Sequence, residues 1–191
     1  MKSAIIVITA IFLFLQNGFA EEDPKLNISP NKKFAVMFNS GEYPSLISMG
    51  SHQVILENLL DEQSRIPFVL WSEDSNNFAC WVQQARFTAF VIYRREQDSF
   101  KALAIPEITL PFEQKLKGKD TDQVGESTCV IQWIKNDTLL MNKRGLINIY
   151  QSRENREILD TVEYSYDITI RFDKQGIGHI LRIRKSPHRT D

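Results

Sequence analysis

Residues 164–173, YSYDITIRFD, put Tyr164, Tyr166, Ile168, Ile170 and Phe172 on one parity, and Ser165, Asp167, Thr169, Arg171 and Asp173 on the other. A ten-residue alternation with an apolar and a polar side is the signature of a strand with one buried face. KQGIG then interrupts with two glycines, and HILRIRK resumes with Leu181 and Ile183 opposite Arg182 and Arg184, which predicts a hairpin. The same grammar runs through the chain. FVLW, SEDSN and NFACWV (68–82) read as strand, turn and strand, and TAFVIYRR and FKALAIPE flank EQDS as a second pair. Residues 68–107 therefore predict a four-stranded meander.

That unit recurs. LNISPNKKFAVMF is followed by SLISM and QVILENL near the start, and CVIQWIKNDTLLMN is followed by the 164–185 hairpin near the end. The aligned turns SPNKKFAV, SEDSNNFA and IKNDTLLM begin at Ser29, Ser72 and Ile134, spaced by 43 and 62 residues. ITLPFEQKLKGKDTDQVGES accounts for the longer second spacing as an insertion that carries a short helix or a loop. Residues 51–64 also fit a helix capped by Ser51, but the repeat places a strand there. The charged middle of INIYQSRENREILDTV reads either as a loop or as one helical turn.

The first twenty residues stand apart. Lys2 precedes an apolar run from Ala4 to Leu15, and Gly18 and Ala20 place small side chains before Glu21. This is the layout of a cleaved secretory signal. The run is shorter than the ~20 residues that span a bilayer. The expected product is a single domain, residues 21–191, exported to the periplasm or the extracellular space, with no stable membrane insertion after cleavage. Its blade-like units cover about 25–60, 66–107 and 127–185. Losing Lys2 leaves 22 of the 23 basic groups against 24 acids, a balance that argues against a nucleic-acid partner.

Cys80 and Cys129 lie in apolar runs. In an oxidising compartment they form either a disulfide or two small buried thiols, since spacing alone does not set the Cα separation.

The turns of the first two units resemble the WD-like repeats of TolB-type propellers, which carry Ser-Pro-Asp-Gly-Lys or Trp-Ser-x-Asp-Ser before an apolar strand. SPNKKFAV and WSEDSNNFA match that outline, and the third copy keeps Trp133, Asn136 and Asp137. The resemblance implies an interaction scaffold. Closed propellers have typically 4–8 blades, whereas three units are present. The expected fold is all-β, made of antiparallel four-stranded meanders, either as an abbreviated propeller or as a curved open sheet or sandwich. Self-association into a ring is the alternative that exposed edges invite.

Catalytic and metal-binding patterns are absent from the sequence. His52, His179 and His188 lack Cys or His partners at ligand spacing. SEDSNN has Ala79 where a calcium loop needs glycine. No nucleophile elbow or phosphate loop occurs. The expectation is a non-enzymatic, cofactor-free module that binds a protein partner or itself. The alternative is a small-ligand binder or hydrolase whose site assembles only in the fold. Trp71, Trp81, Trp133 and Tyr43 are the candidate interaction residues, with the filling of space between sheets as the competing role.

Overall fold

The computed structural model describes residues 25–38, 42–60, 67–83, 88–152, 154 and 156–187. The secretory signal expected over residues 1–20 lies outside them, as does His188.

Among the described residues, twelve strands form three antiparallel sheets, each a meander in chain order. The first sheet holds β1 (Lys25–Ile28), β2 (Phe34–Phe38), β3 (Ser45–Ser48) and β4 (Val54–Leu56). The second holds β5 (Phe68–Trp71), β6 (Asn77–Gln83), β7 (Thr88–Glu96) and β8 (Ser99–Ala102). A short helix, α1 (Glu113–Leu116), precedes the third sheet of β9 (Thr121–Lys135), β10 (Thr138–Tyr150), β11 (Ile158–Phe172) and β12 (Gly178–Lys185). The sheets make an open array that closes into neither a barrel nor a propeller ring. The all-β expectation of three four-stranded meanders holds, and residues 54–56 are strand rather than helix.

The second sheet lies between the other two. Phe78, Cys80 and Val82 on β6 pack with Phe34, Val36 and Leu46 of the first sheet. Ala79 and Trp81, between them on the same strand, face Leu139, Met141, Ile168 and Ile170 of the third. This explains why NFACWV is apolar without alternation, because both of its faces are buried. β11 is one-sided, which explains its strict period of two.

The linker after β8 joins the last turn. The Ala104 N–H donates to Gly176 O at 3.0 Å, and the Gly178 N–H donates to Ala104 O at 2.9 Å. Gly178 has no room for a side chain, since a Cβ there would lie 2.8 Å from Pro106 Cδ and 3.0 Å from Ala104 O.

The third unit departs from the expected repeat. Lys135 pairs directly with Thr138, so Asn136 and Asp137 form a two-residue connection rather than a third copy of the longer turn. β9 begins at Thr121, within the stretch read as an insertion. There Thr121, Gln123 and Gly125 pair with Ile149, Ile147 and Leu146. Pairing with β10 makes a strand of a segment too polar to announce itself.

Candidate interaction surfaces

The two full turns are the same structure 43 residues apart. Ser29 Oγ donates to Asn31 Oδ1 at 2.9 Å and receives the Phe34 N–H at 3.1 Å, while the Lys33 N–H caps Asn31 Oδ1 at 3.0 Å. In the second copy, Ser72 Oγ donates to Asp74 Oδ1 at 2.7 Å and receives the Asn77 N–H at 2.9 Å, and the Asn76 N–H caps Asp74 Oδ1 at 3.0 Å. Both serines are buried, so the hydroxyl supplies partners that water cannot. Lys32 (φ 58) and Ser75 (φ 60) hold the same left-handed position. Burial raises the Asp74 pKa, but the hydrogen bonds from Ser72 and Asn76 outweigh it and hold the carboxyl below its ordinary value. The SEDSN turn is thus an internally bonded corner, with its carboxylate engaged by its own backbone.

The turns also bond to one another. The Asn31 N–H donates to Ser75 Oγ at 3.0 Å, and Asn77 Nδ2 donates to Asn136 O at 2.6 Å. Arg94 continues the seam between the second and third sheets. Its guanidinium reaches Asn77 Oδ1 at 3.2 Å, Phe172 O at 3.5 Å and Asp173 O. The adjoining polar groove, about 570 Å³, is lined by Asn76, Asn77, Arg94, Asn136, Asp173 and Lys174 among others.

The three tryptophans stand in the joints between sheets. Trp71 Nε1 donates to Asn27 Oδ1 at 3.0 Å, linking the second sheet to the first. Trp133 Nε1 donates to Leu70 O at 3.1 Å, linking the third to the second. Asn27 and Leu70 are themselves equivalent by the 43-residue period, so one device serves both joints. Trp81 packs into the second joint and stacks on Phe68, with centroids 5.4 Å apart. Tyr43 is half-buried just before β3.

Cys80 and Cys129 are present as thiols. Cys80 points toward the first sheet. Cys129 pairs with Asn142 on the outer side of the third sheet, so the layers between them, about 10 Å each, exceed the reach of a bridge. Burial pushes the Cys80 thiol pKa up to about 12.

A polar cluster on the third sheet is the other concentration of titratable groups. Tyr164 Oη donates to Glu126 Oε2 at 3.1 Å and receives Gln123 Nε2 at 3.1 Å, and Lys143 Nζ lies 3.1 Å from the same Glu126 oxygen. Burial, then the Glu126 charge, raises the Tyr164 phenol above its ordinary value, which makes it a neutral donor rather than a nucleophile or base. Phe112 packs over its ring at 4.5 Å. Among the described residues no three His, Cys, Asp or Glu side chains are grouped to hold a metal, and no helix is long and apolar enough to cross a membrane.

The two outer faces differ in chemistry. On the first sheet, Ile28, Ala35, Ile47 and Val54 form one cross-strand row, with Leu26 beside it. Leu26, Ile28 and Val54 are 43%, 49% and 47% exposed, whereas Ala35 and Ile47 at the centre of the row are buried. The third sheet turns Arg144, Arg171, Arg182 and Arg184 outward. No sequence motif marked either face, because each is assembled from separate strands. No family model and no curated protein matches the chain.

Proposed function

We propose that the protein is an exported, non-enzymatic interaction module, a short array of WD-like units related in design to TolB-type propellers. The observation that carries this reading is the group of exposed apolar side chains on the outer side of the first sheet, Leu26, Ile28 and Val54. Ile28 occupies the position of Trp71 in the second sheet, and its row corresponds to the face on which the second sheet receives the first. Such a face, rimmed by polar strand ends, fits a protein surface. The identical hydrogen bonding of the Ser29 and Ser72 turns supports the propeller likeness. The leader-like residues 1–20 support export to the periplasm or beyond. Asp74, Asp173 and Tyr164, perturbed groups in polar clusters, are held by local hydrogen bonds, which supports binding over catalysis.

The test compares the chain from Glu21 onward with its Ile28→Glu/Val54→Glu variant, in affinity capture from envelope extract and in light scattering. A stoichiometric partner, or a dimer, held by the parent and lost by the folded variant is the expected result. Identical capture by both proteins, or recovery of the bait alone as a monomer, overturns it.

A further inference from the structure

We infer that the outer face of the third sheet is a docking surface for an anionic phospholipid layer, on which the protein lies without inserting. This goes beyond the proposed protein contact and uses the opposite end of the array. The face is set by register. Ile168 and Ile170 point into the core, so Asp167, Thr169 and Arg171 point away from it. Cross-strand pairing then places His179 beside Arg171, Arg182 beside Thr169, and Arg184 beside Asp167 on β12, with Arg144 beside Ser165 on β10. All four arginines are exposed. They come together on a chain whose formal net charge is −1, so cations are concentrated on this face relative to the chain as a whole.

Four acidic residues share or border the face: Asp167, Asp173, Glu163 and, two rows beyond Arg144 opposite Asn148, Asp122. Asp167 is 8% exposed, and its carboxylate is engaged by Asn142 Nδ2 at 3.1 Å and Arg184 Nη2 at 3.3 Å. Asp173 holds His179 at 3.0 Å at the turn. Glu163 stands a row beyond Arg144, beside Leu146.

The geometry selects the partner. Adjacent strands are ~4.8 Å apart and alternate residues ~6.8 Å along a strand, so the arginines form an array of guanidinium groups, a chemistry suited to phosphates, with Arg184 also paired to Asp167. Four strands span about 14 Å, wider than the ~12 Å major groove a nucleic-acid reader would enter. No Phe, Tyr or Trp stands in the arginine rows to stack on bases, and His179 beside Arg171 is held by Asp173. Exposed Leu146, 41% accessible, borders the array on the same face and suits the boundary of a headgroup layer.

The experiment is vesicle co-sedimentation of the chain from Glu21 onward, which contains all twelve strands. The vesicles are phosphatidylcholine with and without phosphatidylglycerol. Binding is expected only with phosphatidylglycerol, and is expected to be lost near 1 M salt, where the Debye length falls to ~3 Å. Arg171→Gln/Arg182→Gln is expected to weaken binding by about five-fold per arginine, and Arg171→Lys/Arg182→Lys to retain most of it, with melting unchanged in both. Equal binding to neutral vesicles, no binding to anionic ones, or indifference to the double neutralisation overturns the proposal. So does tighter binding to a duplex DNA oligomer through the same arginines. None of these outcomes touches the first sheet, so this proposal and the proposed protein contact stand or fall separately.

Discussion

The indole N–H of Trp71 reaches Asn27 Oδ1 at 3.0 Å, tying the first strand of one sheet to the first strand of the sheet before it. The ring also packs on Phe78, centroids 4.6 Å apart, within the first joint. Trp71→Phe keeps most of the ring and removes the donor, so its expected cost is about 1 kcal/mol. Trp71→Ala should cost about 3–5 kcal/mol. Denaturant midpoints of Trp71→Phe, Asn27→Ala and the pair measure the coupling. Additive losses would remove the hydrogen bond from the account of the joint.

Lys32 and Ser75 share a backbone conformation but should respond to glycine with opposite signs. Lys32 is exposed and its left-handed φ is unfavourable for a residue with a Cβ. Lys32→Gly relieves that strain against a smaller unfolded-state entropy cost, for an expected gain of about 0.5 kcal/mol. Ser75→Gly relieves the same strain but deletes the acceptor of the Asn31 N–H, a part-buried bond worth about 1 kcal/mol. Thermal melts of the two variants should therefore move in opposite directions.

Cys80 should be inert in the native protein. It is fully buried and its thiol is pushed up to about 12, so the reactive thiolate is scarce at neutral pH. Iodoacetamide at pH 8 should label Cys80 only after denaturant is added, as read by peptide mass spectrometry. Rapid native labelling would contradict the packing of the first joint.

Asp173 makes the last hairpin sensitive to acid. His179, and then the N–H of Ile177, hold its carboxyl below the ordinary value. A depressed folded pKa means the stabilisation is present above the unfolded value of about 3.9 and is lost as pH falls through the folded one. Asp173→Asn should lower the denaturant midpoint at pH 6, and the gap to the parent should close as pH falls below about 4. A gap independent of pH would assign the loss to the turn's hydrogen bonds alone.

Much of the fold was legible where a strand has one wet side. Tyr164 to Phe172 alternated without a fault, and the 43-residue offset between Ser29 and Ser72 marked turns that are equivalent bond for bond. Legibility failed where pairing overrode local character. Thr121 to Gly125 are strand because β10 lies beside them, and nothing apolar in TDQVG said so. The tryptophans were visible as residues but not as joints, since only the stacking order shows that Trp133 meets the position equivalent to Asn27. The arginine face was hidden because the whole-chain charge is nearly zero and its four members come from three strands. Register alone aligns them.

The unlike ends of the array carry a consequence for assembly. A stack whose top matched its bottom would offer each molecule a heterologous contact with the next, and such contacts run on into filaments unless the rotation closes. Here the apolar end has isoleucine at position 28, where the inner joint supplies an indole, and the other end is armoured with guanidinium groups. Head-to-tail growth would bury the arginine face against leucine and isoleucine, with counter-charge from Asp167 only at Arg184, a heavy penalty. Ile28 at one end and the arginines of β10, β11 and β12 at the other therefore disfavour head-to-tail growth.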